Sequence, residues 1–225
     1  MVGDVMSVSR LRMASDGKGV STLVAMYGCP LHCKYCINEA CHEIFFEIPE
    51  FLKKYDKGQK CEKEDHSNTP RALYKPKELL KVLRKDELYY LMTGGGVVFG
   101  GGEPLLQSAF IHEVCQLADD RWDKRIETSL NVPWENVERL VEDLDEWIID
   151  IKDMDSTIYK DYTGSNNEKV IDNLLKLRNV LKPEMFRIRI PRIRGYNNDE
   201  LVEKSVLWIR KNIWVEPEVF DYYII

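Results

Sequence analysis

Six short apolar runs, rich in β-branched residues, alternate along the chain with amphipathic stretches, and this alternation most constrains the fold. The amphipathic stretches have helical periodicity, and several begin with proline or an acidic residue, as helix N-termini prefer. Strands that alternate with helices predict a parallel α/β architecture with right-handed crossovers. The predicted strands are residues 21–27, 96–100, 124–130, 146–152, 185–191 and 219–225.

The number of strand–helix units narrows the architecture further. Six units are fewer than the eight that close a TIM barrel, so an open partial barrel and a doubly wound sheet both fit. In either arrangement ligands bind at the carboxyl ends of the strands, so functional residues are expected directly after each strand. We expect one domain over residues 1–225, with a long excursion at residues 37–75 after the first strand.

Charge and composition exclude several function classes. Lys and Arg number 32 against 38 Asp and Glu, so the formal net charge of −6 gives no bulk attraction to nucleic acid or anionic membrane. The N-terminus lacks the apolar core of a signal peptide, and no apolar run approaches the roughly 20 residues of a membrane span. Six cysteines without a secretion signal indicate free thiols in a reducing compartment, so we expect a cytoplasmic protein.

Three of the cysteines stand close together directly after the first predicted strand. Cys29, Cys33 and Cys36 form a C-x3-C-x2-C pattern. Iron–sulfur clusters usually take four cysteine thiolates, so three ligands leave one iron with an open position. A substrate or cofactor can bind a metal at such a position. The pattern therefore predicts an open iron–sulfur site.

The remaining cysteines and histidines leave alternatives open. The three thiols could belong to a zinc site completed by His32, Cys41 or His42, although no second pair of zinc ligands is evident. Cys41 and Cys61, with His42 and His66 nearby, form the weaker alternative of a second metal site. Cys115 lies inside an apolar helical pattern and is expected in the core.

The cysteine segment resembles the radical S-adenosylmethionine (SAM) superfamily, whose motif is C-x3-C-x-aromatic-C. The resemblance implies that Tyr35, at the aromatic position, faces the adenine of SAM. A second element, Gly101-Gly102-Glu103-Pro104, follows the second predicted strand and resembles the superfamily's GGE element. It implies contact with the amino group of SAM, with the charge of Glu103 beside that cation. The spacing does not match a phosphate-binding loop.

Later segments narrow the resemblance to the glycyl-radical-enzyme activating enzymes, of which pyruvate formate-lyase activating enzyme is the best-known member. The similarity covers most of the chain and is weakest at residues 37–90. It implies a partial (β/α)6 TIM-like barrel of parallel strands, open on one side. The segments that carry it are SDGKGVSTLVAMYGC, GVVFGGGEPLLQ, ETSLNV, IIDIKDMD, YKDYTGSNNEKVIDNL and FRIRIPRIRGYNND.

Charged residues near the ends of later strands take their implied roles from this family. Glu127, Thr128 and Asp150 correspond to groups of the SAM site or of a cation site. Lys152 and Arg189 correspond to basic residues around the SAM carboxylate. Carboxylates beside another carboxylate need an intervening cation, so a bound monovalent ion is expected. Glu127 replaces the aspartate of some members.

The resemblance implies reductive cleavage of SAM at a [4Fe–4S] cluster to a 5′-deoxyadenosyl radical, which abstracts hydrogen from a glycine of a partner glycyl radical enzyme. No catalytic side chain is expected beyond the cluster and SAM, because hydrogen abstraction needs no acid or base. Flavodoxin or ferredoxin would supply the electron to an anaerobic, monomeric enzyme. No nucleic acid or membrane partner is expected.

Two other functions remain open. A radical SAM enzyme could act instead on a small molecule or a ribosomal peptide. A non-enzymatic iron–sulfur electron carrier is the third hypothesis, but it gives no role to the GGE element, Asp150 or Lys152. The chain stops at Ile225, after the sixth predicted strand, where members of the family continue, so ligands from that later segment are expected to be missing.

Overall fold

The structure, a computed structural model, describes residues 1–13, 17–41 and 71–222. Its centre is an eight-stranded sheet with the order β3-β1-β2-β4-β5-β6-β7-β8. The strands are β1 Gly3–Met13, β2 Val20–Met26, β3 Ala72–Tyr74, β4 Gly96–Gly101, β5 Asp123–Thr128, β6 Glu146–Asp150, β7 Phe186–Arg192 and β8 Glu218–Asp221.

The six predicted strands are confirmed as β2 and β4 to β8, and each pairs in parallel with its neighbour in the sheet. The sheet does not close, since β3 and β8 stand at its two edges. The prediction of an open, parallel α/β fold is therefore confirmed. The two strands β1 and β3 were not predicted, and both run antiparallel to their neighbours.

Helices cover the sheet: α1 Pro76–Leu83, α2 Glu87–Thr93, α3 Ser108–Leu117, α4 Trp134–Glu138, α5 Ser156–Thr163, α6 Glu168–Leu177 and α7 Asp199–Ile213. Parallel strands buried on both faces should be apolar throughout, and β4 is buried from Gly96 to Gly100. Large side chains such as Phe99 and Trp147 fill the core between sheet and helices. Cys115 is buried, as expected.

The amphipathic stretch at 75–88 is broken into α1 and α2 by a 3-10 turn, Arg84–Asp86, and two further helices differ from the sequence pattern. The amphipathic stretch at 133–144 forms α4 only to Glu138, and later turns close through tighter bonds such as Leu140 N–H to the Val137 carbonyl. Helix α5 was missed, although Asp155 caps its N-terminus and Gly164 ends it in the left-handed conformation. Within the described residues, no helix has the length and apolar character needed to cross a membrane.

Candidate active site

The expected site residues converge on one edge of the sheet, where the parallel strands end. The cysteine segment follows β2 and the glycine segment follows β4. Thr128 and Asp150 are the last residues of β5 and β6, and Arg189 of β7 pairs with Asp150. This edge is where parallel α/β proteins bind ligands.

The cysteine loop, residues 28–41, lies partly buried against the core. Cys29 and Cys33 pack against core side chains, and all three motif cysteines are half-buried with free thiols. The Cys36 N–H donates to the Cys33 carbonyl at 3.2 Å, which closes a tight turn between these two cysteines. Burial raises the pKa of the Cys33 thiol to about 11, while the nearby charge of Lys152 opposes that rise.

The end of α5 and the residue Ser165 that follows it hold the cysteine loop in place. The N–H groups of His32 and Lys34 donate to the carbonyls of Thr163 and Tyr162, at 2.8 and 3.1 Å. The Ser165 hydroxyl donates to the Pro30 carbonyl at 3.4 Å. The loop that follows β2 is therefore anchored on the end of α5, which belongs to the β6 side of the sheet.

The glycine loop, residues 101–103, packs directly on the cysteine loop. The Gly102 N–H donates to the Met26 carbonyl at 3.0 Å, and the Glu103 N–H donates to the Gly28 carbonyl at 2.7 Å. A Cβ on Gly102 would lie 2.2 Å from the Gly28 carbonyl oxygen, so any other residue would separate the loops. Asn38 adds a side-chain bond to the Gly101 carbonyl at 2.9 Å.

The Glu103 carboxylate faces inward and is 1% exposed. Its Oε1 accepts hydrogen bonds from the Thr128 hydroxyl at 2.6 Å and the Leu105 N–H at 3.3 Å. Its Oε2 accepts two more from Ser129. Burial raises the pKa of Glu103, although these hydrogen bonds oppose the rise. The expected pairing of Glu103 with the SAM amino group stays a prediction, and it would have to compete with these four bonds.

A charged network lies across β5, β6 and β7 and joins the ends of β5 and β6 to the middle of β7. Arg189 donates to Asp150 at 2.7 Å and also to Glu127, and Lys152 donates to Asp150 at 3.4 Å. Burial alone would raise the pKa of Asp150, but Lys152 and Arg189 outweigh it and lower that pKa. The structure thus brings the two expected carboxylates together with the two expected cations. Arg189 is the positive charge between the two carboxylates.

Aromatic side chains surround the Tyr35 ring. Its centroid lies 6.1 Å from that of Tyr162 and 5.8 Å from that of Tyr196, and these two lie 5.1 Å apart. Tyr222, after β8, donates its hydroxyl to the Tyr35 carbonyl. Sequence reasoning gave these three tyrosines no role. Tyr162 and Tyr196 could have been noticed, because each follows one of the later parallel strands.

Cys41 ends the cysteine loop. It is 1% exposed, and its N–H donates to the Asn38 carbonyl at 2.9 Å. The alternative of a second metal site with Cys61 falls partly on residues 42–70, which lie outside the described residues.

The donor set fits an iron–sulfur cluster better than a single ion. Among the residues that the structure describes, no three His, Cys, Asp or Glu side chains are arranged to hold one metal ion. His32, a candidate ligand in the zinc alternative, is exposed, and His42 lies outside the described ranges. A cluster binds each thiolate to a different iron and so accepts more widely spaced sulfurs. Cys29, Cys33 and Cys36 are thiols of the kind that such a cluster requires, and their role as its ligands stays a prediction.

Comparisons with known proteins agree with this geometry. The family model described as Radical SAM superfamily matches residues 23–204. The chain is 30% identical to (2S)-3-sulfopropanediol dehydratase activating enzyme from Klebsiella oxytoca, over 88% of this chain and 73% of that protein. It is also 30% identical to 4-hydroxyphenylacetate decarboxylase activating enzyme from Clostridioides difficile, over 99% of this chain and 82% of that protein.

A solved structure supports the fold alone. SuiB from Streptococcus suis superimposes with a TM-score of 0.60 at 16% identity, covering 90% of this chain and 39% of that one.

Proposed function

The chain belongs to the radical SAM superfamily and, within it, to the glycyl-radical-enzyme activating enzymes, and we propose that it activates a partner glycyl radical enzyme. The observation that carries the proposal is the similarity to activating enzymes over nearly the whole chain. The cysteine and glycine loops are hydrogen-bonded to each other at the carboxyl edge of the sheet. This contact supports the proposal, since both motifs meet where a ligand would bind.

Cys29, Cys33 and Cys36 would hold a [4Fe–4S] cluster. In its reduced form the cluster would supply the electron for reductive cleavage of SAM, the chemistry by which a hydrogen atom would be taken from a glycine of the partner. The backbone of Gly101 and Gly102 orients the methionine end of SAM, and the ring of Tyr35 packs beside its adenine. The side chains therefore position and shield the reactants.

The charged network receives the carboxylate of SAM. Lys152 and Arg189 are positive and only about one-sixth exposed, at 17% each, and the SAM carboxylate would share them with Asp150 and Glu127. A SAM carboxylate that pairs with Lys152 and Arg189 would weaken their ion pairs with Asp150 and Glu127. A monovalent cation would then restore the balance beside these two carboxylates.

Flavodoxin or ferredoxin supplies the electron, and the exposure of His32 and Lys34 in the cysteine loop supports access of such a donor. We further infer a monomer in the cytoplasm, which the free thiols of the described cysteines support.

Anaerobic reconstitution with iron and sulfide tests the chemistry. We expect a cluster absorption band and, with dithionite and SAM, release of 5′-deoxyadenosine. Cys33→Ala should abolish both, whereas Cys115→Ala, a buried cysteine in α3, should abolish neither. Absence of cleavage in the wild type would refute the radical SAM chemistry and leave the electron-carrier hypothesis.

A second measurement tests whether the substrate is a glycyl radical enzyme. Each glycyl radical enzyme encoded beside the gene is mixed with the reduced protein and SAM, and electron paramagnetic resonance should detect a glycyl radical. If SAM is cleaved and no such partner acquires a radical, the activase role fails and a small molecule or ribosomal peptide becomes the substrate.

A further inference from the structure

The turn that follows β5, residues 128–132, contains a buried residue in the left-handed conformation. Leu130 has a φ of +59° and is fully buried. The two other described non-glycine residues with positive φ, Leu11 and Trp214, are exposed. A Cβ makes this conformation unfavourable, which is why glycine usually occupies it. The leucine therefore stays left-handed only because its surroundings stabilise that conformation.

Bonds within the turn support this conformation. The Leu130 N–H donates to the Thr128 hydroxyl at 3.0 Å, and the Val132 N–H donates to the Leu130 carbonyl at 2.9 Å. Each of these bonds joins residues only two apart. They shape the turn, but they do not connect it to another element of the fold.

The side chain of Asn173, in α6, connects the backbone of the turn to the rest of the fold. Its amide donates to the Leu130 carbonyl and to the Val132 carbonyl, each at 2.9 Å. Asn173 is 1% exposed, on the buried face of α6. A primary amide has two N–H groups, so one side chain holds the carbonyl of the left-handed residue and that of a second residue beyond it.

The other side of the turn carries the donors that hold Glu103. The Thr128 hydroxyl, the Ser129 N–H and the Ser129 hydroxyl all donate to its carboxylate, at 2.6, 2.9 and 2.6 Å. Strand β5 fixes the chain before these donors, and Asn173 fixes the chain after them. A change of φ at Leu130 must therefore be absorbed between the two, where Ser129 lies.

We propose that Asn173 is a positioning residue for SAM, because it keeps Leu130 in the conformation that lets the donors of the turn hold Glu103. Glu103 in turn belongs to the glycine loop, and its N–H donates to the Gly28 carbonyl of the cysteine loop at 2.7 Å. Asn173 acts through the turn and keeps the glycine loop in the place where it meets the methionine end of SAM. This role rests on the proposed function, because the ligand is SAM.

Calorimetric titration of the reconstituted protein with SAM is the first test. Asn173→Ala should raise the Kd for SAM roughly tenfold, which is about the effect of losing one buried hydrogen bond. Val206→Ala truncates a buried side chain of α7 and is the control for lost stability. It should leave the Kd unchanged. An unchanged or lower Kd in Asn173→Ala would overturn the inference.

Leu130→Gly separates the conformation of the turn from the stability of the fold. Glycine adopts a positive φ without steric cost, so the turn no longer needs Asn173. The cavity left by the leucine should lower the urea midpoint, yet SAM affinity should match that of the wild type. Adding Asn173→Ala to Leu130→Gly should then cost little further affinity. A double variant that binds SAM as weakly as Asn173→Ala alone would overturn the inference.

Hydrogen exchange of the cluster-free protein gives an answer even if Leu130→Gly does not fold. In Asn173→Ala, exchange of the backbone N–H groups at 128–132 should accelerate more than exchange in β2. In Val206→Ala the two segments should change together. Equal acceleration of both segments in Asn173→Ala would show a general loss of stability and overturn the role in the turn.

SAM binding and 5′-deoxyadenosine release are measured on the same wild-type samples. A wild type that neither binds nor cleaves SAM refutes the proposed function. An active wild type whose SAM affinity is insensitive to Asn173→Ala refutes only the role of Asn173.

Discussion

Glu103 accepts hydrogen bonds from both the backbone N–H and the hydroxyl of Ser129, at 2.9 and 2.6 Å. These bonds join the loop after β4 to the end of β5 through a fully buried carboxylate. The acidic residue of the glycine motif is therefore a cross-link between two strand ends. This cross-link should stabilise the fold even when no ligand is bound.

Glu103→Ala should lower the free energy of unfolding by roughly 3 kcal/mol, because the buried donors of Thr128 and Ser129 lose their acceptor. Urea denaturation of the cluster-free protein measures the change. Glu103→Gln keeps one acceptor oxygen and should lose less. If Glu103→Gln retained full stability but lost SAM affinity, the side chain would act on the ligand and not as a cross-link.

Gly102→Ala should force the cysteine and glycine loops apart, because the added Cβ would lie 2.2 Å from the Gly28 carbonyl oxygen. We expect a loss of roughly 2 to 3 kcal/mol in the free energy of unfolding and weaker SAM binding. Calorimetric titration of the reconstituted variant with SAM measures the second effect.

Gly94→Ala is the control for this substitution. Gly94 ends α2 at a φ of +68° and has open space around a Cβ, so alanine meets only backbone strain of about 1 kcal/mol. SAM binding should remain unchanged. Equal loss of SAM affinity in both variants would contradict the role given to loop contact.

Asn38→Ala should speed the loss of iron from the reconstituted protein to a chelator. The variant lacks the 2.9 Å bond to the Gly101 carbonyl that ties the cysteine loop to β4. Asn136→Ala removes a similar bond, from an amide to the Leu105 carbonyl at 2.7 Å, outside the cysteine loop. Both variants should lose about 1 kcal/mol of stability, but only Asn38→Ala should release iron faster.

Asp150→Asn should destabilise the fold by about 3 kcal/mol at pH 7, because Arg189 and Lys152 lose their buried partner. The pKa of Asp150 is lower in the folded protein than the ordinary value of 3.8. The charge of Asp150 therefore stabilises the native state at pH values above 3.8. That contribution is lost as the pH falls through the lower, folded-state pKa.

Urea denaturation at pH 7 and in steps below pH 4 tests this sign. The difference in unfolding free energy between wild type and Asp150→Asn should shrink on acidification, since asparagine does not titrate. A constant difference across that range would show that Asp150 is not the titrating group.

The alternation of apolar runs was sufficient to predict the parallel strands, because strands buried on both faces must be apolar along their length. Strand β1 was not predicted, because its sequence is not apolar along its whole length. It lies antiparallel near an edge, and residues such as Arg10 interrupt its apolar pattern while pairing with the buried Asp86. Such a long-range ion pair has no local sequence signal.

The meeting of candidate residues at one edge of the sheet was predictable where a residue type is tied to a strand end, as for Asp150. Contacts that depend on how loops from distant segments meet could not be predicted. The inward turn of Glu103 requires knowing that Ser129 lies beside it, and the place of Cys41 requires the 3-10 turn after the motif.

The anchoring of the cysteine loop on α5 also sets the order of events as the protein is made. His32 and Lys34 leave the ribosome early, but the carbonyls of Tyr162 and Thr163 that hold them follow after most of the sheet has been synthesised. Closing so long a loop is slow and must await those residues. The cysteine loop can therefore reach its final anchored form only after β6 and α5 have been added to the chain.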